Sequence, residues 1–250
     1  MRLNRFLAAA GLGSRRGCEE LIKAGKVTIN GEICTDLATT VGSADHVKVG
    51  NKLIRQETHL YVLLNKPRGY VCTASDELDR KTIFDLLPKN WPRLFNIGRL
   101  DKESEGLLIL TNDGDLSLRL THPRYKIDKE YEVILDKPFA LEHREKLLRG
   151  VYIEGGRAKA ESVHHLGQNH LKIVLRQGLK RQIRLMLYDL GYEVKRLMRT
   201  RIGSLRLDIR PGEWRTLNDR EVKGLLQEET KREPKPRQPA RRDKPQRRQA

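Results

Sequence analysis

Residues 95–114 have the sequence FNIGRLDKESEGLLILTNDG, and the rest of the chain is predicted to assemble around them. The apolar runs Leu94–Ile97 and Leu107–Leu110 are too short for globular helices, which predicts two buried strands joined by a charged loop. Such a loop can hold a carboxylate in a fixed position. Arg99 and Asp101 are two residues apart, so on an extended backbone they share one side. A solvated turn with charges at its tip is the simpler alternative at this point.

The composition indicates a polyanionic partner. In 250 residues the chain has 50 Lys and Arg against 33 Asp and Glu, a formal net charge of +17. Nucleic acid is the commonest partner of so basic a protein, and a membrane surface is the alternative. No apolar run approaches the ~20 residues of a spanning helix. The apolar stretch Phe6–Ala10 is too short for a signal peptide, so we expect a cytoplasmic protein.

No metal site is predicted from the cysteines or histidines. Cys18, Cys34 and Cys72 are odd in number and widely spaced, which fits neither a disulfide framework nor a zinc site. The adjacent pair His164-His165 would point to opposite faces of an extended segment.

Residues 1–55 are predicted to form a small separate α/β module. Apolar residues at helical spacing predict a helix that ends at Gly11, and Ser14 is a plausible N-cap for a second helix, Arg15–Ala24. The Asn30-Gly31 pair then predicts a hairpin turn. Arg15 and Arg16 would lie in the first turn of the second helix, where basic residues oppose the helix dipole. Phosphate binding would explain this arrangement, and solvated arginines are the alternative.

This module resembles the S4-like RNA-binding domain first described in a small-subunit ribosomal protein. The resemblance rests on residues 2–4, on Gly13-Ser14-Arg15-Arg16 and on Gly25–Gly31. It implies that Arg15, Arg16 and Lys26 bind RNA.

Residues 56–228 are predicted to form a second, mainly antiparallel mixed-sheet domain, which makes the fold class α+β. We expect strands at 60–64, 70–73, 94–97, 107–110, 131–135, 171–175 and 204–207. We expect helices at 82–87, 115–120, 141–148, 181–190 and 219–225. Residues 229–250 are predicted to be a disordered basic tail, because the stretch from Lys231 onwards carries a net charge of +7 and no Leu, Ile, Val or aromatic residue.

Four spaced blocks of this second domain resemble pseudouridine synthases of the RsuA/RluB/RluF family, most of all its RluF branch. The central block is Gly98-Arg99-Leu100-Asp101 with Ser104 and Gly106-Leu107-Leu108. The others are residues 65–69 (NKPRG), 129–133 (KEYEV) and 178–186 (GLKRQIRLM). The resemblance implies a pseudouridine synthase fold over residues 56–228.

The resemblance also implies roles for single residues. Asp101 falls on the nucleophilic aspartate, Tyr131 on the tyrosine that packs on the target base, and Arg184 on the arginine that pairs with the aspartate. Arg99 would enter the base stack and hold the base out, while Asn65 and Lys66 belong to the block that supports the cleft and are predicted, with Arg181, to contact RNA. Leu185 departs from the family, which has a second arginine there.

Elementary chemistry agrees with part of this picture. An aromatic face suits a flipped uracil, and a nearby guanidinium would keep a partly buried carboxylate ionised. Without the resemblance, Tyr131 would be predicted as half-buried core.

The implied reaction is the isomerisation of a uridine in ribosomal RNA, with the large-subunit RNA favoured by the branch. It requires no cofactor and no metal, and we expect a monomer with RNA as its partner. Two other functions remain open at this stage. A non-catalytic RNA-binding assembly factor would fit the charge and the module equally well, and a glycosidase could use Asp101 and Glu105 as paired carboxylates.

Overall fold

A computed structural model describes residues 1–74 and 76–227 of the chain. The predicted disordered tail, residues 229–250, lies outside the described residues.

The first 54 residues contain two helices and a four-stranded antiparallel sheet with the strand order β2-β1-β3-β4. The elements are α1 (Leu3–Ala9), α2 (Arg15–Lys23), β1 (Val27–Ile29), β2 (Glu32–Ile33), β3 (Val47–Val49) and β4 (Lys52–Leu53). The predicted cap is confirmed, since Ser14 Oγ accepts a hydrogen bond of 3.0 Å from the Gly17 amide. Asn30 and Gly31 have φ angles of 53° and 96°, which give the predicted tight hairpin between β1 and β2. This part has its own apolar core, which includes Leu3, Leu7, Cys18, Ile22, Val27 and Val47.

The remaining described residues form a larger unit built on one mixed sheet. Its strands are β5 (Tyr61–Lys66), β6 (Phe95–Ile97), β7 (Glu105–Thr111), β8 (Lys129–Leu135), β9 (Val151–Ile153), β10 (Gly156–Ala158), β11 (Ser162–His165), β12 (His170–Leu175), β13 (Val194–Ile202), β14 (Leu205–Arg206) and β15 (Trp214–Thr216). Its helices are α3 (Gly114–Thr121), α4 (Glu142–Arg149), α5 (Gln182–Asp189) and α6 (Asp219–Gln227), with short 3₁₀ helices at Ile83–Leu86 and Pro123–Tyr125.

The main sheet has the order β11-β12-β8-β13-β7-β5-β15, with β14 paired to β13 and β6 paired to β7. Only one of these pairings, β13 with β7, is parallel. The predicted α+β class with a mainly antiparallel sheet is therefore confirmed. Hydrophobic clusters cover both faces of the strands near β7, which explains why β7 reads as a continuous apolar run.

Two predicted elements need correction, and one long strand was missed. Residues 70–73 form no strand, and Val71 makes only an isolated bridge to Thr82. The helix predicted at 82–87 is a short 3₁₀ helix. The nine-residue strand β13 was missed, because its four basic residues interrupt the apolar alternation that marks a strand.

Gly106 allows β13 to lie beside β7. It has φ +104°, and a Cβ atom there would lie 2.7 Å from the backbone nitrogen of Arg199 and closer still to its carbonyl oxygen. Only a residue without a side chain fits this approach.

We therefore expect Gly106→Ala to destabilise the protein by about 3 kcal/mol, because both the φ angle and the backbone contact become strained. For a unit of this size that lowers the melting temperature by about 10 °C. Thermal unfolding followed by circular dichroism measures the effect. The control is Gly114→Ala at the start of α3, where a Cβ meets nothing within 4 Å, and there we expect no loss. Equal melting temperatures for the two variants would contradict this reading of Gly106.

The sheet opens beside β7. Along one edge of β7, Glu105 and Gly106 pair with β13, and Ile109 to Thr111 pair with β6. The opening is the gap between these two partner strands. The loop that carries Asp101 connects β6 to β7 and so emerges beside this opening.

Candidate active site

The loop between β6 and β7 presents charged side chains on a fixed backbone. Asp101 is half-buried, Ser104 is buried, and Lys102 and Glu103 are exposed. The Ser104 amide donates a 3.0 Å hydrogen bond to the Asp101 carbonyl, which closes the turn after the aspartate. Arg68 reaches Glu103 in an exposed ion pair of 2.8 Å.

Lys66 is the main internal support of this loop. Its side chain is completely buried, and its ammonium donates to the carbonyls of Asp101 (3.1 Å) and Ser104 (2.7 Å), with longer bonds of 3.4 Å to Lys102 and 3.2 Å to Pro67. Burial lowers the pKa of Lys66, and nearby acidic groups, Asp101 among them, partly oppose that shift. The predicted RNA contact is corrected: an ammonium enclosed by loop carbonyls has no surface to offer a phosphate.

Asn65 is corrected in the same way. Its side chain is 4% exposed, and Nδ2 donates a 2.8 Å hydrogen bond to the Ile209 carbonyl. The Asn65 carbonyl accepts another from the Gly212 amide. Asn65 therefore ties β5 to the segment before β15 instead of facing RNA.

Arg184 approaches the Asp101 loop from α5. Its Nη2 donates to the Glu103 carbonyl at 3.2 Å, and its Nη1 donates to the Val194 carbonyl at 3.0 Å. Burial lowers the pKa of Arg184 and Arg181 adds to the shift, whereas the charge of Asp101 raises it. Arg184 and Asp101 thus interact through space, without a direct hydrogen bond or ion pair between them. Their pairing stays a prediction, and active-site contacts often tighten only when substrate binds.

Tyr131 lies in a row of residues that crosses three neighbouring strands. On β8 it stands opposite Arg199 of β13, and Arg199 stands beside Gly106 of β7. Tyr131 is half-buried and packs against the core cluster under α5. The row leads from the predicted base-stacking residue to the end of the Asp101 loop.

The other predicted site residues are exposed. Arg99 lies before Asp101 in the same loop, and Arg181 precedes the first turn of α5. On the first module, Arg15, Arg16 and Lys26 are all exposed. Each of these five cations is therefore accessible to a phosphate group.

Sequence reasoning missed two side chains beside this site. Arg199 is 3% exposed, and its Nε donates a 2.7 Å hydrogen bond to the Leu107 carbonyl in the opening beside β7. Lys129 is half-buried and two residues before Tyr131, on the same face of β8. The period of β8 could have placed Lys129 beside Tyr131. Residues 199–202 also fit the family resemblance, but nothing in the residues around Arg199 indicated that it lies opposite Tyr131.

A cavity of about 380 Å³ lies elsewhere, on the other face of the sheet. Its lining includes Glu130, Lys172 and Arg201. Glu130 neighbours Tyr131 in β8 and therefore points away from it. We accordingly place the candidate site at the Asp101 loop and not in this cavity.

Within residues 1–74 and 76–227, no three His, Cys, Asp or Glu side chains are grouped to hold a metal ion. In the same part of the chain, none of the helices has the length and apolar character to cross a membrane.

Comparison with known proteins identifies the family. Residues 60–189 match the RNA pseudouridylate synthase family, and residues 1–47 match the S4 domain. The chain is 39% identical over 232 residues to ribosomal large subunit pseudouridine synthase B of Bacillus subtilis, covering 90% of this chain and 95% of that protein. The chain belongs to the RsuA/RluB/RluF family of RNA pseudouridine synthases.

Further relatives agree. The chain is 40% identical over 230 residues to the dual-specificity RNA pseudouridine synthase RluF of Escherichia coli K12, covering 90% of this chain and 78% of that protein. A crystal structure of a pseudouridylate synthase superposes with a TM-score of 0.67 at 29% identity, covering 90% of this chain and 99% of that one. The protein is thus an RNA pseudouridine synthase with an S4 domain, as the sequence motifs indicated.

Proposed function

We propose that this pseudouridine synthase isomerises a specific uridine in the ribosomal RNA of the large subunit. The observation that carries the proposal is the similarity over nine-tenths of the chain to a synthase named for that subunit. The formal charge of +17 supports a large RNA substrate.

The reaction breaks the bond between C1′ of the ribose and N1 of the uracil, turns the base, and joins C1′ to C5. We assign to Asp101 the role of nucleophile, to Arg184 its positioning, to Tyr131 the stacking contact with the base, and to Arg99 the holding of the flipped nucleotide. Support comes from the contact of Arg184 with the Asp101 loop and from the row that joins Tyr131 to Gly106. Because reactant and product are isomers, the chemistry calls for neither an oxidant nor ATP.

The S4-like module, residues 1–55, is proposed to dock the RNA through Arg15, Arg16 and Lys26, and Arg181 is proposed to contact RNA beside the site. The module has a core of its own and meets the larger unit at few polar contacts, including the ion pair between Arg5 and Asp115. It can therefore be removed without opening the catalytic core.

Deletion of residues 1–55 is expected to weaken RNA binding at least tenfold and to flatten its salt dependence, because the phosphate contacts of the module are lost. Binding to ribosomal RNA fragments at two salt concentrations measures both effects. Melting of the truncated protein checks that the larger unit still folds. An unchanged affinity and an unchanged salt slope would show that Arg15, Arg16 and Lys26 do not dock the RNA.

We further propose that the protein acts as a monomer in the cytoplasm, where its RNA substrate is assembled into ribosomes. Sedimentation of the purified protein tests the first point.

The two alternative functions, a non-catalytic assembly factor and a glycosidase, explain this site less completely than a pseudouridine synthase does. An assembly factor without activity gives no reason for Arg184 to support the Asp101 loop. For a glycosidase, Glu105 would have to be a free second carboxylate, yet it forms an ion pair with Arg196.

Mapping pseudouridines in ribosomal RNA from cells with and without the protein tests the proposed function. We expect one large-subunit position to lose its pseudouridine and to regain it when the gene is restored. If every large-subunit position keeps its pseudouridine in the cells without the protein, the proposed substrate is wrong.

A further inference from the structure

Lys129, which is half-buried, and Arg199, which is buried, form a pair of cations on the face of the sheet that carries Tyr131. Lys129 shares that face of β8 with Tyr131, and Arg199 is the cross-strand partner of Tyr131 on β13. Burial lowers the pKa of Lys129 to about 8, with the charge of Arg199 as the second cause and Asp128 as an opposing one. The two cations are therefore close enough to repel each other.

This pair lacks an anionic partner among the described residues. Neither cation takes part in an ion pair within residues 1–74 and 76–227. The Lys129 ammonium has only a long 3.4 Å bond to the Ile127 carbonyl. The Nη2 of Arg199 is buried and makes no hydrogen bond, although the residue is only 3% exposed. Buried cations are costly unless an anion or other acceptors satisfy them.

The neighbouring acids are engaged elsewhere. Asp128 forms an ion pair of 2.8 Å with Arg176. Glu130 follows Lys129 but points to the other face, where Thr200 Oγ1 donates to it at 3.1 Å. The ammonium of Lys129 thus keeps donors available on the side of Tyr131, while the unpartnered Nη2 of Arg199 lies buried beside it, at the opening beside β7.

We propose that Lys129 is a further catalytic residue, which hydrogen-bonds a carbonyl oxygen of the flipped uracil and stabilises the negative charge that develops on the base, and that the buried Arg199 beside it adds positive charge without touching the base. This inference rests on the proposed function, since it requires the target base to lie against Tyr131. Tyr131 and Lys129 are side by side, so a base stacked on the tyrosine lies within reach of the lysine.

The chemistry calls for such a group. When the C1′–N1 bond breaks, its electron pair stays on the uracil and spreads to the carbonyl oxygens, while a carboxylate oxygen of Asp101 forms a bond to C1′ of the ribose. After the base turns, an electron pair of the ring at C5 forms the C5–C1′ bond. The bond between Asp101 and C1′ then breaks and its electron pair returns to the carboxylate. The C5 hydrogen leaves as a proton and N1 gains a proton, so the balance is that of an isomerisation. Preorganised donors aimed at developing charge give large rate effects.

The test uses the full-length protein and large-subunit ribosomal RNA from cells that lack it, with pseudouridine formation followed in single turnovers. We expect Lys129→Met to lower the rate of conversion of bound RNA about 100-fold while the affinity for RNA changes less than threefold. Lys129→Arg, which keeps the charge, should recover most of the rate. The matched control is Lys172→Met, a half-buried strand lysine on the opposite face, which should convert RNA like the wild type.

The pH profile separates catalysis from a structural role. Because the lysine must be charged, kcat/KM of the wild type should fall as the pH rises above about 8, the pKa of Lys129. In Lys129→Arg this fall should move to higher pH, because a guanidinium keeps its charge where an ammonium has lost it. A rate that instead increases towards pH 8 would make the neutral lysine the active form and overturn the proposal.

The remaining outcomes are equally distinct. Asp101→Asn is measured in parallel, and an inactive wild type would refute the proposed function itself. An active wild type with an equally active Lys129→Met refutes only this inference. If Lys129→Met melts more than a few degrees below the wild type, Lys129→Arg provides the test instead. If kcat/KM of that folded variant falls at the same pH as in the wild type, the proposal is overturned.

Discussion

Replacing Asp101 by asparagine is expected to abolish pseudouridine formation, with a residual rate at least 10⁴-fold below that of the wild type. The amide has nearly the shape of the carboxylate but is a poor nucleophile and carries no charge to balance the ribose. The loop should keep its position, because Lys66 holds the backbone carbonyl of residue 101 and not its side chain. RNA affinity should therefore stay within a few-fold of the wild type.

The matched control for this experiment is Glu103→Gln, two residues further along the same loop. Glu103 is exposed, and its side chain meets only Arg68 among its ion pairs in the described chain. It should convert RNA at close to the wild-type rate. Conversion by Asp101→Asn at the same speed as by Glu103→Gln would refute the assignment of Asp101 as the nucleophile.

Replacing Lys66 by methionine is expected to lower the activity by about 100-fold and to reduce the stability of the protein as well. Methionine fills similar space but leaves the loop carbonyls without a donor, and each unpartnered buried polar group costs ~1–3 kcal/mol. Because water can enter and satisfy some of them, we expect a net loss of about 3 kcal/mol, or about 10 °C in melting temperature.

Hydrogen exchange distinguishes this local effect from general weakening. The Ser104 amide, bonded to the Asp101 carbonyl, should exchange faster in Lys66→Met, whereas amides at the centre of β7 should change much less. Lys89→Met, at an exposed lysine outside the loop, serves as the control. A Lys66→Met protein with normal loop protection and normal activity would disprove the supporting role of the buried ammonium.

The sequence by itself determined the features that depend on neighbouring residues. The Ser14 cap, the Asn30-Gly31 turn and the apolar run of β7 are each set by the free energies of a few consecutive residues, and the structure confirms all three. The motif around Asp101 is likewise contiguous, and it indicates the enzyme family without reference to the fold. Strand β13 was not predicted, because pairing with its neighbouring strands β7 and β8, and not its own residue pattern, keeps its basic residues in a strand.

The tertiary structure decided the roles of side chains whose partners are distant in sequence. Lysine is usually a surface residue, but three of the four carbonyls that the Lys66 ammonium binds lie 35 to 38 positions further along the chain, and the folded loop buries the side chain completely. Gly106 is required only because the backbone of Arg199 passes beside it, and Arg199 and Lys129 meet only because β8 and β13 are paired. Burial and charge proximity are properties of the assembled sheet, so no local pattern in the sequence could specify them.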